Sequence, residues 1–364
     1  MIAPSRYPIR QPFAGGLESM VAQLVGQLRH RGHDVTLFAG EGSDGADLAY
    51  AFSPSAWEPS RAAAADSSMP AASFMADHHS YLRLLMALAG PLADRFDVVH
   101  NHSLHHLPVA MAPLLQVPMI TTMHTPPTPW LESAISSAPA SVGTSSRFVA
   151  VSRFIAEQWG PVDDGRAPGV VLNGIDLDTW KPGRGGEMLV WSGRIVPEKA
   201  PHLAIQAARA AGMPLVIAGP LSDLPYFEAQ VRPHLGFGVR YAGHLAVPEL
   251  ADLVGRASAA LVTPIWDEPY GLVVAEALAC GTPVVAFRRG GIPEILTDER
   301  VGVLVEPGDE DGFAAAIPEA IALSRDAVRD FAERFLSLER MVSRYERLYA
   351  RLASDARWET ELPA

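Results

Sequence analysis

Short apolar runs, each closed by a glycine or proline turn and followed by an amphipathic stretch, recur along most of this 364-residue chain. No other feature limits its fold so strongly. In the second half such runs stand at 188–192, 215–218, 239–241, 259–262, 284–287 and 303–305. Apolar runs bounded by turn formers read as buried strands. Strands alternating with helices imply a parallel sheet with right-handed crossovers. The first half repeats the pattern with strands predicted at 35–39, 97–100, 118–124, 148–152 and 170–172, and Ile2-Ala3-Pro4 reads as the tail of a further strand. Helices are predicted over 17–31, 74–96, 311–323, 325–335 and 337–353, and residues 358–364 as a frayed tail. A chain of this length is comfortable as two Rossmann-sized lobes. The linker-like composition from Trp180 to Gly186 places the boundary, giving lobes at 1–178 and 179–336 and a terminal helix and tail at 337–364.

One stretch carries most of the chemistry. The strand at 259–262 ends at Thr263-Pro264, Pro269 and Gly271 forbid regular structure, and a helical pattern runs from Leu272 to a C-cap glycine at Gly281. Strand, tight turn and helix expose the amides around Tyr270, Gly271, Leu272 and Val273 at a helix N-terminus, a geometry that favours an anion. Glu268 precedes that turn and Glu276 follows it. Two hydroxyl-binding carboxylates around an anion-binding turn suit a ligand that is anionic in the middle and hydroxylated at both ends, the layout of a nucleotide-sugar. Arg194 and Lys199 flank the turn after the 188–192 strand, so both can clamp a diphosphate and neutralise a departing charge. Gly15-Gly16, ahead of a helix, allows close backbone approach to a ligand. His124 stands at the carboxyl end of a parallel strand, where open sheets bind ligands. Asn173-Gly174 is a turn signal.

The segment from Glu268 to Glu276, with its continuation through Cys280-Gly281-Thr282-Pro283 and Gly290-Gly291-Ile292-Pro293-Glu294, resembles glycosyltransferase family 4. Further motifs recur in that family's order across nearly the whole chain. The resemblance implies the α/β GT-B fold, two Rossmann-like lobes facing across a deep cleft, with the C-terminal helix returning to the first lobe. It implies a retaining transfer of a sugar from a nucleoside diphosphate, UDP-linked favoured and GDP-linked possible, to an acceptor hydroxyl on a sugar, glycolipid or small metabolite. It sets Gly15 and Gly16 against the donor diphosphate, Lys199 in the clamp, His124 beside the transferred sugar, and Asn173 in a strand-to-linker motif. The exit loops with Gly219, Gly243, His244 and Leu245 would seat the nucleobase. The donor is a co-substrate, and neither a metal nor another cofactor is expected.

Other classes fit less well. A dehydrogenase would carry Gly-x-Gly-x-x-Gly after its first strand, and only Ala14-Gly15-Gly16 is present. A nucleotide-sugar epimerase of similar fold and a catalytically silent nucleotide-sugar-binding subunit stay open. The histidines at 100, 102, 105 and 106 suggest a metal site, but no carboxylate cluster follows them. A net charge of −12 argues against nucleic acid. No apolar run approaches the ~20 residues that span a bilayer. No signal peptide is visible, and a single cysteine, Cys280, suits a reducing cytoplasm, as in carbohydrate biosynthesis by a bacterial monomer or homodimer. Acceptor contacts would come from the loops at 41–73, 101–108 and 124–140.

Overall fold

The computed structural model describes residues 1–53, 57–137, 146–162 and 165–361. Parts of the predicted acceptor loops, at 54–56 and 138–140, and the last three residues of the tail lie outside them. The first sheet runs β1 (Val99–Asn101), β2 (Met119–Met123), β3 (Ser146–Ala150) and β4 (Gly169–Val170), all parallel in that order. Ile2 extends it through parallel bridges to Asn101 and Phe38.

The strand predicted at 35–39 is not regular. Leu37, Phe38 and Ala39 are buried as expected, but the backbone forms only isolated bridges, Phe38 to Ile2, Leu37 to Ala46 and, just beyond it, Gly40 to Phe52. The hydrogen bonds alternate between the chain start and the 46–52 loop, so no one partner carries a full ladder. The helix predicted over 74–96 is Ala72–Leu88, ending just before Gly90-Pro91. The predicted frayed tail begins too early, because the last helix runs Leu338–Glu361.

The second sheet holds β5 (Met188–Ser192), β6 (Leu215–Ala218), β7 (Val239–Tyr241), β8 (Ala257–Val262), β9 (Val284–Phe287) and β10 (Gly302–Val305) in the order β10-β9-β8-β5-β6-β7, with parallel pairing throughout. Strand order therefore reverses between β5 and β8, and a doubly wound sheet binds ligands outside the carboxyl ends of its strands at such a point. Behind it, the Arg325 guanidinium donates to the carbonyls of Gly255, Ala257 and Cys280 and to Thr282 Oγ1, pinning the helix Arg325–Phe335 to the sheet.

Two crossings join the lobes and are bonded to each other. Ile175 donates to Leu336 O and accepts from Leu338 N, at 2.8 and 2.9 Å. Gly174 leaves no space for a side chain there, since a Cβ would meet Leu338 Cα at 2.6 Å. Beyond the return crossing, Met341, Val342 and Tyr345 pack with Met20, Val21 and Leu24 of the helix Gly16–His30. The lobes themselves are pressed together: Val151 and Ile155 share a core with Tyr270 and Ile292. No helix of the described residues is long and apolar enough to cross a membrane.

Candidate functional site

The loops leaving β5 and β8 meet at the reversal point. Pro197–Lys199 form one turn of 3-10 helix after β5. Ala200 follows in the left-handed conformation (φ 48°), and Thr263 Oγ1 donates to its carbonyl at 2.9 Å. Ile265 N donates to Glu198 O, so the two loops are stitched side by side. Lys199 Nζ ion-pairs with Glu268 Oε1 and lies 5.0 Å from the centre of the Trp266 ring. Trp266 Nε1 donates to the same carboxylate at 3.1 Å. Glu268 is only 7% exposed, so its carboxylate depends on these two donors for hydrogen bonds that water would otherwise supply. Its backbone is gripped as well, Gly291 N donating to its carbonyl at 2.7 Å, while Gly290 at φ 56° leaves no room for a Cβ against it. Arg194 is paired more loosely, 3.7 Å from Glu198. Both cations thus have carboxylate partners within the two loops, a pairing that spacing alone did not suggest.

Gly271, at φ 102°, begins the helix Leu272–Ala279 without a side-chain cap, and a Cβ there would crowd Ile292 at 3.1 Å. Its first residue, Leu272, lies against the first lobe, where Gly16 is so close that a Cβ would meet Leu272 Cδ1 at 2.6 Å. The predicted glycine pair and the predicted helix mouth therefore sit against each other across the lobes. Glu276 is 9% exposed, and burial pushes its carboxyl up to about 7. A solvated helix position, the bland alternative for this residue, is ruled out by that burial.

Sequence reasoning missed Glu18. It is buried behind Gly15, burial raises its carboxyl, and the charges of Arg194 and Arg6 oppose that shift. An acid in the first turn of an amphipathic helix looks like ordinary dipole complementation, so no local signal separates it from a surface residue. Glu294 was quoted as part of a motif but given no role. It accepts from Arg153 N and Phe154 N, both at 2.8 Å, tying the second lobe to the start of the helix Arg153–Trp159. Ser152 Oγ donates to Pro269 O across the same seam.

The nucleobase candidates cluster at the ends of β6 and β7. Gly219 N donates to Gly243 O, and Gly219, at φ 141°, abuts Gly193 too closely for any side chain. His244 Nε2 donates to Phe13 O at 2.9 Å, Leu245 packs on the core, and Val247 N donates to Gln11 Oε1. Tyr270 is buried and its hydroxyl donates to Asn173 O, a strut from the turn to the linker. Asn173 is among the residues around a separate cavity beside the crossings, with none of the other candidate donor residues there.

His124 is buried and bonded to His102 Nδ1 at 3.0 Å, and burial lowers its ring to about 3, leaving it neutral. His100 joins Tyr349 and Thr122, and Tyr345 also bonds Thr122, so the terminal helix buttresses this histidine group. Among the described residues, the ring nitrogens of His78, His105 and His106 come within 4.8 Å of one another. His105 Nδ1, however, accepts from Leu107 N, which puts its proton on Nε2 and leaves that atom unable to ligate in this arrangement.

Two family models match adjacent parts of the chain. The one described as Glycosyltransferase Family 4 covers residues 14–179, and the one described as Glycosyl transferases group 1 covers residues 178–335. A glycogen synthase of Mycobacterium tuberculosis is 34% identical over 269 residues, 66% of this chain and 64% of that protein. A D-inositol 3-phosphate glycosyltransferase of Frankia alni is 32% identical over 279 residues, 64% of this chain and 67% of that protein. The chain spans less than two thirds of the first curated relatives it matches, 64% of the glycogen synthase and 65% of the Nocardiopsis dassonvillei D-inositol 3-phosphate glycosyltransferase. The fold is similar to that of AviGT4, a glycosyltransferase involved in avilamycin A biosynthesis, with TM-score 0.67, 24% identity and 97% of each chain covered. It is also similar to Anabaena HepE crystallised with UDP-glucose, with TM-score 0.71, 17% identity and 96% and 98% covered.

Proposed function

The chain belongs to the family 4, group 1 glycosyltransferases of GT-B fold, and from that premise we propose that it transfers a sugar from a nucleoside diphosphate to an acceptor hydroxyl with retention at the anomeric carbon. One observation carries the reading. At the strand-order reversal, Lys199 and Arg194 stand with Glu268 beside the uncapped mouth of the Leu272–Ala279 helix, with buried Glu276 further along it.

The donor, UDP-linked by preference, lies with its diphosphate between the cations and the first amides of that helix, under Gly15 and Gly16. The bond from the anomeric carbon to the phosphate oxygen breaks, and the oxygen leaves with the electron pair. Lys199 has three N–H donors, so it can keep Glu268 while taking a phosphate oxygen, and with Arg194 it offsets the charge that grows there. The acceptor oxygen attacks from the face the diphosphate leaves, and its proton passes to the departing phosphate. Glu268 orients the sugar hydroxyls, Glu276 accepts from the ribose, and neutral His124 bonds the sugar from the first lobe. No divalent ion is part of this scheme, and activity that survives chelation is its expected behaviour. A cytoplasmic enzyme acting on a soluble or lipid-borne hydroxyl fits the reading.

The test is transfer by Lys199→Ala and Arg194→Ala, each checked for a native circular dichroism spectrum. Removing a group that stabilises the leaving charge costs about 2.7–4 kcal/mol, or roughly 100- to 1000-fold in kcat. Near-normal turnover in both variants would refute the clamp. Product anomeric configuration read by NMR tests retention. Absence of both transfer and donor hydrolysis over a broad acceptor panel would favour a silent subunit, and recovery of an isomerised donor would favour an epimerase.

A further inference from the structure

The histidine assigned to the transferred sugar has a neighbour that the scheme above does not use. His124 follows the carboxyl end of β2 and His102 follows that of the adjacent β1, so parallel pairing sets their rings side by side, His102 Nδ1 at 3.0 Å from His124 Nε2. His124 is 9% exposed and His102 is fully buried. Burial holds both rings below the ordinary histidine range, so both are neutral at pH 7. Two neutral imidazoles in contact through nitrogen share one proton in that contact. If His102 carries it on Nδ1, His124 Nε2 accepts and His124 keeps its own proton on Nδ1. If His124 carries it on Nε2, its Nδ1 is a bare lone pair. The two tautomers are therefore locked together. They decide how His124 meets a ligand, because its Nδ1 makes no hydrogen bond among the described residues and is the ring nitrogen that remains for one.

The far side of the pair favours one of the two forms. His102 Nε2 is enclosed and has no hydrogen-bond partner among the described residues. A proton there would be a buried N–H without an acceptor, which folded proteins rarely keep, whereas an unmet acceptor is tolerated more often. That puts the His102 proton on Nδ1, facing His124. Nor is the ring free to turn over. It lies on His100 with ring centres 3.8 Å apart, and His100 is bonded through Nδ1 to Tyr349 Oη at 2.6 Å and through Nε2 to Thr122 Oγ1 at 2.7 Å. Tyr345 bonds the same threonine, and both tyrosines belong to the helix Leu338–Glu361, so the returning helix holds the stack from behind.

We propose that His102 is a positioning residue for the transfer: its Nδ1–H fixes His124 in the Nδ1–H form and so makes His124 a hydrogen-bond donor to an oxygen of the sugar being transferred. The sugar contact rests on the glycosyltransferase reading above, while the tautomer belongs to the protein alone. In this form His124 has no bare nitrogen toward the ligand. It grips a sugar oxygen and does not take the acceptor's proton, which is left to the departing phosphate.

The experiment is long-range proton–nitrogen correlation NMR of the ligand-free full chain with isotope-labelled histidine at pH 7, where protonated and bare ring nitrogens differ in shift. Signals lost in His124→Gln and in His102→Asn assign the two rings. The expected result is Nδ1–H on both. Nε2–H on either ring, or an exchange average of the two forms, would overturn the proposal. Two variants then separate positioning from packing. His102→Leu fills the space without a donor, and His102→Asn sets an amide N–H where Nδ1 stands. Calorimetry should show UDP-glucose binding about three- to tenfold more weakly to His102→Leu than to the parent, the worth of one hydrogen bond. UDP, which carries no sugar for His124 to meet, should bind as before, and His102→Asn should recover part of the loss. Unchanged UDP-glucose affinity in His102→Leu would overturn the proposal, as would an equal loss of UDP and UDP-glucose in both variants. A parent chain that binds neither nucleotide would remove the glycosyltransferase reading instead, with the NMR result still deciding the tautomer.

Discussion

Replacing Glu276 by glutamine should make the ligand-free protein more stable and its nucleotide binding weaker. The carboxyl lies in the core, where burial lifts it from an ordinary 4.5 to about 7. Above pH 7 it is ionised in both the folded and the unfolded chain, and the folded chain bears the cost of the buried charge. The gap between 4.5 and about 7, at about 1.4 kcal/mol per pH unit, makes that cost about 3 kcal/mol. The sign follows from the raised value: the contribution to stability is fully present below pH 4.5 and is lost as pH rises through 7. A neutral amide of the same shape escapes most of it. For a lobe of this size, 3 kcal/mol corresponds to a rise in melting temperature on the order of 6–10 °C. The gain should be full at pH 8 and nearly absent at pH 4.5. In the same variant, a ribose that bonded the carboxylate loses a charge-assisted contact, weakening UDP by about tenfold or more. Scanning fluorimetry at the two pH values, with UDP calorimetry at pH 8, reads both effects. An equal gain at both pH values would show that burial of charge is not the cause. Unchanged UDP affinity would remove Glu276 from the ligand.

Three further outcomes follow from packing. Glu294→Ala deletes two bonds from a carboxylate to first-lobe amides, worth about 1.5–3 kcal/mol each, so small-angle scattering should show a larger radius of gyration in the ligand-free state. An unchanged radius would mean the seam does not hold the lobes closed. Arg325→Met removes the donor shared by the carbonyls of Gly255, Ala257 and Cys280, and urea melts should show a loss of about 1–3 kcal/mol. A loss under about 1 kcal/mol would contradict a structural role for the guanidinium. His124 is held neutral down to about pH 3 while an unfolded histidine takes its proton near 6.5. Stability should therefore be constant in this respect above pH 6.5 and fall as the medium is acidified below it, with a shallower slope in His124→Gln.

The alternation of apolar runs with glycine-closed turns was enough to read two parallel sheets with flanking helices, because a buried strand must be apolar and its exit must turn. The same local chemistry singled out Glu268, Gly271, Arg194 and Lys199 as candidates, since their types and spacing at strand ends are legible within a few residues. It failed where the partner is remote. Residues 35–39 have the apolar content of a strand, yet they are divided between Ile2 and the 46–52 loop. Glu18 comes near Arg194 of the other lobe only through the packing of the two lobes. Which strand neighbours which is likewise silent in the sequence: β5 lies against β8 although two strands intervene along the chain. That adjacency makes the reversal point and joins Lys199 to Glu268, 69 positions apart. Local propensity depends on a residue and its few neighbours, whereas a carboxylate's burial and its cationic partner depend on how distant segments pack, and only the folded chain decides that.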